Sequence, residues 1–306
     1  MKHPEYQACR LCPRECGVNR EMGQSGFCGM TDRLLAARAA LHMWEEPCIS
    51  GEEGSGAVFF TGCSMGCVFC QNYEISHEKL GLFVDEKRLV EIFLELAEKN
   101  ANNINLVTGD VYIPTIAKAI EEAKMSGLRL PFIWNTSSYV NVEALKMLDG
   151  LVDVYLPDFK FIRKEDAKRY AAAENYPEKA GVAIAEMVRQ TAENGAEFDE
   201  RGMIKKGVIV RHLLMPGGLL SAKMIVKELY RTYGDRIYLS LMNQYTPMKQ
   251  LSDSYPELKK RVTEREYDEL IRYAVSIGVK NGYMQEGTTA AESFIPPFNY
   301  EGIERK

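Results

Sequence analysis

Six short apolar runs, at 58–60, 104–107, 132–134, 152–156, 207–214 and 237–242, recur along the 306-residue chain, with longer helical patterns between them. The runs are rich in β-branched and aromatic residues and are continuous rather than alternating, as strands covered on both faces of a parallel sheet require. Thr263 and Glu266, spaced as a capping box ahead of Tyr267, Leu270, Ile271 and Ala274, predict a helix over 263–277 that stops at Gly278. Ile116 with Ile120 predicts a helix ending near Gly127, and Ile225 with Leu229 one ending near Gly234. About six βα units, with no glycine-rich dinucleotide fingerprint after the first strand, favour a barrel-like wheel over a doubly wound sheet. The expected class is α/β, and a chain of this length can bury one such core with a small appendage.

The first run leads into Gly62-Cys63-Ser64-Met65-Gly66-Cys67-Val68-Phe69-Cys70. In a wheel of βα units the active site forms from loops at the C-terminal ends of the strands, which is where this segment begins. Three thiolates spaced C-x3-C-x2-C can grip three corners of a 4Fe-4S cube within one loop. The fourth iron then lacks a protein ligand, and an open position separates a reactive metal site from a closed structural one. A structural zinc completed by His77 is the bland alternative, but His77 lies beyond the usual short ligand spacings.

Apolar residues make up 46% of the chain and charged residues 26%, with a formal net charge of -5. This balance offers no field for a nucleic-acid backbone, and the Lys205-Lys206 pair is expected at the solvated start of a strand. No apolar stretch reaches the length of a membrane span and the first residues lack a signal-peptide core, so the expected location is the cytoplasm, with neither nucleic acid nor membrane as a partner. Seven of the eight cysteines fall in two sets, which in that compartment reads as metal ligation rather than a disulfide framework.

The second set is Cys9, Cys12, Cys16 and Cys28, in a stretch where Pro13 and several glycines suit neither helix nor strand. Four thiolates close a tetrahedral zinc site or fill a complete 4Fe-4S cluster, and either would stabilise the segment. Residues 33–50 read as a connector in which Cys48 is a small buried hydrophobe. The expected organisation is a cysteine-rich segment with its connector over 1–50, the barrel over 51–288, and a tail over 289–306 packed on it. The aromatic stretch 294–300 within that tail could instead close the barrel mouth.

Polar groups stand at the ends of the five later strands: Thr108-Gly109-Asp110, Asn135-Thr136-Ser137-Ser138, Asp158-Phe159-Lys160, Arg211-His212 and Asn243-Gln244-Tyr245. Any one could be a helix cap or a turn residue. Together they outline a pocket. Asp158 and Lys160, two apart on an extended strand, point to the same face.

With Phe69 ahead of its last cysteine, the C-x3-C-x2-C loop resembles the signature of the radical S-adenosylmethionine (radical SAM) superfamily. The loop with Gln71-Asn72, the Asp158-x-Lys160 pair and the stretch Val210-Arg211-His212-Leu213-Leu214-Met215-Pro216-Gly217 resemble three motifs of pyruvate formate-lyase activating enzymes. The opening Cys9-x2-Cys12-Pro13-Arg14-x-Cys16 with Cys28 is similar to a branch related to those activases, and the similarity continues through 105–108, 241–247 and 285–287. The resemblance implies a partial (β/α)6 barrel of radical SAM type with an N-terminal cysteine-rich extension. It implies a 4Fe-4S cluster on Cys63, Cys67 and Cys70, with Asp158, Lys160 and His212 in contact with S-adenosylmethionine; Phe69 of the loop and the strand-end Thr108, Gly109, Asp110 and Asn135 complete the expected cofactor site. Lys160 suits the methionine carboxylate, Asp158 or Asp110 the ammonium or a hydroxyl, and Asn135 or His212 the ribose. Two departures stand out: Thr108-Gly109-Asp110 replaces the activases' Gly-Gly-Glu, and no ferredoxin-like insertion follows Cys70.

The activity implied is reductive cleavage of S-adenosylmethionine to a 5'-deoxyadenosyl radical that takes hydrogen from a substrate, with electrons from a protein such as flavodoxin or ferredoxin. The amide-bearing Asn243 and Gln244, with Tyr245, are expected to meet a small-molecule or peptide-like substrate beside the fifth strand. A glycyl-radical activase acting on a partner protein is one alternative. A non-enzymatic electron carrier or metal scaffold is the other, although it would need neither an incomplete ligand set nor polar strand ends.

Overall fold

Hydrogen bonds join ten strands into one sheet in the computed structural model, which describes residues 3–285 and 295–305. In chain order they are β1 Leu35–His42, β2 Ser55–Phe60, β3 Leu82–Phe83, β4 Ile104–Val107, β5 Phe132–Thr136, β6 Val154–Pro157, β7 Glu197–Phe198, β8 Ile204–Leu213, β9 Tyr238–Met242 and β10 Gly282–Met284. Their spatial order is β10-β9-β8-β6-β5-β4-β2-β1-β3, with β7 pairing to β8 off that path. Along that path every neighbour pair from β2 to β10 is parallel, while β1 runs antiparallel to β2, β3 antiparallel to β1 and β7 antiparallel to β8. The sheet stays open between β3 and β10, so the architecture is a partial barrel. No described helix is long and apolar enough to cross a membrane.

All six expected runs are strands, and helices fill the intervals, among them Glu86–Glu98, Ile113–Met125, Tyr176–Thr191, Leu219–Tyr233 and Glu264–Ser276. The last carries the capping box: Thr263 accepts from the Glu266 N–H, and the Glu266 carboxylate accepts from the Thr263 N–H at 3.0 Å. Such a cap is worth about 1 kcal/mol.

Each parallel strand divides its side chains between two faces. Val58 and Phe60 of β2 pack into the main core with the helices, whereas Ala57 and Phe59 join Val107 on the concave side. This period of two decides which strand-end groups reach the barrel interior.

The connector expected over 33–50 is instead a strand followed by a turn of helix. Its Ala-rich sequence, Leu35–His42, has low strand propensity, but the strand pairs with β2 and β3 and bonds the tail, and Ala36, Ala37, Ala39 and Ala40 are all buried. The chain then dips beneath the sheet, and the short helix Pro47–Ser50 sets Cys48 and Ile49 against Ile133, Val154, Leu156 and Ile209. That apolar plug fills the lower barrel and leaves the upper part as a cavity.

Of the tail, residues 295–305 are described, and Phe294 lies outside the described residues, as do Glu286 and Gly287. Phe298 packs edge-on to Phe59 with ring centres 5.6 Å apart, and the Tyr300 and Glu301 backbone bonds to Ala37 and Ala39 of β1. Ile295 and Pro296 reach the rim of the cavity.

Candidate active site

β2 ends at Phe60, and the Thr61 hydroxyl anchors the turn by donating to the Leu80 carbonyl at 2.6 Å. Gly62 has a left-handed backbone, φ 94°, and any Cβ there would strike Met30. Only glycine allows this approach. Cys63, Cys67 and Cys70 follow and all line one cavity of about 330 Å³. Burial pushes the Cys63 thiol up to about 11, with the nearby Cys70 adding to the shift. Burial likewise raises Cys67 and Cys70, against the positive charge of Lys160. Left alone, these thiols stay protonated at neutral pH, and a bound metal would supply the charge that ionises them.

Cys63, Cys67 and Cys70 reach one cavity, and three thiolates are a donor set that suits iron-sulfur chemistry. His77 takes no part: its ring stacks on Tyr73 at 4.4 Å and its Nδ1 bonds the Ser76 hydroxyl at 2.8 Å. Among the described residues, no group of three or more His, Cys, Asp or Glu is drawn together around a single ion position.

Phe69, Thr108, Asn135, Asp158 and Lys160 line the same cavity, joined by Thr136 and Ser137. Lys160 Nζ lies 2.5 Å from Asp158 Oδ2. Burial works against the lysine's charge, but the Asp158 carboxylate and the Cys67 sulfur more than offset it, so the ammonium holds its proton above the ordinary lysine range. Thr108 sits in the left-handed region, φ 61°, with its N–H donating to the Asn135 carbonyl, a strained posture of the kind found at functional sites. Phe69 packs between Phe161 and Tyr245, with ring centres 6.0 and 6.4 Å away.

Five expected site residues do not line this cavity. Asp110 is buried, its Oδ1 accepting from Trp134 Nε1 at 2.9 Å and its Oδ2 from the Thr136 hydroxyl at 2.7 Å. Gly109 is wedged beside Ile116 and Trp134. His212 faces the helix layer, where Nδ1–H donates to the Phe159 carbonyl at 2.8 Å. Burial lowers its pKa to about 4 and keeps it neutral. Asn243 engages Gln285 through its backbone N–H, and Tyr245 is buried with its hydroxyl donating to the Leu258 carbonyl. The reason is the strand period: Arg211 and Leu213 flank His212, and Met242 and Gln244 flank Asn243, and in each case the flanking pair lines the cavity.

The sequence reading missed the cavity floor. Arg211 points inward and pairs with Glu45 and Glu46 from the segment ahead of the Pro47–Ser50 helix, with Nε donating to Glu46 Oε1 at 2.8 Å. Asn105 Nδ2 donates to Glu45 Oε1 at 2.8 Å. An acidic dipeptide abutting Pro-Cys-Ile was the available signal.

Cys9, Cys12, Cys16 and Cys28 are free thiols gathered near one another. Burial pushes Cys12 up to about 12, with Cys28, Cys9 and Cys16 contributing. The segment is held by Arg20, whose buried guanidinium donates to the Thr31 and Val111 carbonyls and stacks over Tyr6 at 4.4 Å.

A model of the radical SAM superfamily matches residues 57–217. A Methanocaldococcus jannaschii protein, "Uncharacterized protein MJ0674", is 28% identical over 277 residues, covering 88% of this chain and 75% of that protein. Among solved structures, Streptococcus suis SuiB bound to S-adenosylmethionine aligns with a TM-score of 0.48 and 12% identity over 74% of this chain and 49% of SuiB. HydG, a maturase of the FeFe hydrogenase, aligns with a TM-score of 0.49 and 13% identity over 72% of this chain and 49% of its own. This chain therefore spans about half the length of either solved structure.

Proposed function

The chain belongs to the radical SAM superfamily, enzymes that use a 4Fe-4S cluster and S-adenosylmethionine, and from that premise we propose how its own residues divide the work. Cys63, Cys67 and Cys70 hold the cluster, and Lys160 meets the methionine carboxylate as a point charge that Asp158 keeps protonated. Asn135, Thr108 and Ser137 supply hydrogen bonds to the ammonium and ribose, and Phe69 forms an apolar wall. When bound, the cluster and cofactor supply a 5'-deoxyadenosyl radical, and the protein's part is to place the substrate's C–H bond and to exclude water. The observation that carries this reading is the convergence of the three thiols and the Asp158–Lys160 pair on one cavity.

Gln244 lines the cavity with other amides, among them Gln71 and Gln285, and amide partners favour a peptide-like substrate. The open sheet also leaves room for a peptide loop of a glycyl-radical partner, so an activase-like role is the second reading. Cys9, Cys12, Cys16 and Cys28 are assigned to a closed second site, zinc or iron-sulfur. Flavodoxin or ferredoxin is the expected electron donor and the cytoplasm the expected location.

The test is anaerobic incubation of reconstituted protein with dithionite and S-adenosylmethionine. Deoxyadenosine and methionine should form, and Cys67→Ala should abolish both. Turnover that survives Cys67→Ala would overturn the assignment.

A further inference from the structure

We infer that Gln71 and Gln244 together receive an amide group of the substrate, Gln244 donating to its carbonyl and Gln71 accepting from its N–H. The inference rests on the reading above that this cavity holds the reaction. Gln285 is the positioning residue that sets which end of the Gln244 side chain faces the ligand.

Each carboxamide is oriented by a backbone group whose role is fixed. The Asn243 N–H can only donate, so the Gln285 atom 2.8 Å from it is the oxygen Oε1. Gln285 therefore turns Nε2 the other way, where it donates to Gln244 Oε1 at 2.9 Å. That contact occupies the Gln244 oxygen and leaves Nε2 as its available end. Among the described residues Nε2 meets only the Met242 thioether, a weak acceptor, at 3.7 Å. On the other side, the Gln244 backbone carbonyl can only accept, so Gln71 presents Nε2 to it at 3.1 Å and keeps Oε1 available. Gln71 Oε1 is not one of the atoms sealed in the core without a partner.

Gln71, Gln244, Gln285 and Met242 all line the cavity and are half-buried, so a ligand there can reach them. Gln71 directly follows Cys70, which sets this pair beside the cysteine loop. One available donor and one available acceptor on two touching residues match an amide, which carries one of each. A carboxylate or phosphate would face the Gln71 oxygen as a second acceptor, and an ammonium would face the Gln244 NH2 as a second donor. Gln285 is itself held firmly, because its backbone N–H donates to the Tyr267 hydroxyl at 2.7 Å and that hydroxyl donates to the Leu241 carbonyl at 2.7 Å.

The probes are four uncharged molecules of similar shape: N-benzylacetamide, its isomer 3-phenylpropanamide, benzyl acetate and benzyl ethyl ether. Their binding to the reconstituted, S-adenosylmethionine-loaded protein would be measured by anaerobic equilibrium dialysis. The better of the two amides should bind about three- to tenfold more tightly than the ester, which lacks the N–H, and the ester should exceed the ether by a similar factor. Preference for N-benzylacetamide would identify a backbone amide as the group taken, and preference for 3-phenylpropanamide a primary carboxamide. In Gln244→Met the advantage of the ester over the ether should vanish. Gln285→Glu keeps an acceptor for the Asn243 N–H but offers a second oxygen to Gln244, which must turn its NH2 away from the ligand, so the same advantage should vanish there although the side chain's volume is unchanged. A Gln285 that only fills space would leave the ranking as in wild type and would overturn its assignment. Equal binding of all four probes, or no binding by any, would overturn the proposal, and the wild-type ranking alone decides it should the variants not fold. Deoxyadenosine formation in the same wild-type samples reports separately on the activity: its absence would remove that reading, while the probe ranking would still settle whether the cavity takes an amide.

Discussion

The Arg14 guanidinium donates to the backbone carbonyl of Met65 at 3.1 Å, tying the N-terminal cysteine segment to the middle of the Cys63–Cys67 loop. The same side chain reaches the Ser64 carbonyl at 3.0 Å and the Ala171 carbonyl at 2.9 Å, and lies 3.7 Å over the Phe27 ring. Since Arg14 stands between Cys12 and Cys16, the two cysteine sets form one mechanical unit. Arg14→Ala should cost about 1.5–3 kcal/mol, the range for hydrogen bonds from a charged donor, and lower the melting temperature by several degrees. Arg14→Lys should not rescue it, because a single ammonium cannot serve carbonyls on both sides as a planar fork does. Thermal unfolding of the two variants beside wild type checks this, and full rescue by lysine would show that charge alone matters.

Lys160 bears directly on cofactor binding. Lys160→Ala should weaken S-adenosylmethionine binding about 10- to 100-fold, the loss of one charge-assisted hydrogen bond, while the iron content stays the same. Calorimetric titration with parallel iron analysis separates the two. Unchanged affinity would make the Asp158–Lys160 contact a strand-end ion pair and nothing more.

The tail offers a test of how the cavity rim is held. Gly302 has a left-handed backbone, φ 74°, and a Cβ there would collide with the Ala39 carbonyl of β1. Arg88 clasps the same turn by donating to the Gly302, Ile303 and Glu304 carbonyls. Gly302→Ala should therefore cost about 1–3 kcal/mol and free the tail. Limited proteolysis should trim the variant from its C-terminal end well before wild type. Equal protection would mean the tail is held elsewhere.

Short continuous apolar runs were readable because a strand buried on both faces has few alternatives, and the capping box at Thr263 was readable because its two partners lie three residues apart. β1 was not, since its alanines carry no strand signal and its pairing with β2 and the tail is non-local. Within the site, the cysteine loop and the Asp158–Lys160 pair were singled out by local spacing, and both line the one cavity. His212, Asn243 and Tyr245 were assigned by their place at strand ends, but a shift of one residue turns a side chain to the opposite face, and the phase of β8 and β9 is set by long-range pairing. The Arg211–Glu45–Glu46 floor joins residues more than 160 positions apart and has no local signature.

Two buried groups give the folded protein opposing pH responses. Burial raises the Asp110 carboxyl from 3.8 to about 6, with Thr136 and Trp134 resisting, so the folded chain holds this proton more tightly than the unfolded chain does. Its contribution to stability therefore falls as pH rises through that interval and is flat above it. His212 acts the other way: burial lowers it from 6.5 to about 4, so its contribution is complete above the unfolded value and is lost as pH falls toward the folded one. Across their shared window the two slopes oppose each other. Asp110→Asn keeps an acceptor for Trp134 but removes the ionisation, leaving the His212 slope exposed. Relative to wild type, the variant should gain up to about 3 kcal/mol as pH rises from about 4 to about 7, on top of a constant offset from the altered hydrogen bonds. Urea unfolding at several pH values across that range measures it. A difference between the two proteins that does not change with pH would mean that Asp110 titrates as an ordinary carboxylate, and the buried Trp134–Asp110–Thr136 arrangement would have to be abandoned.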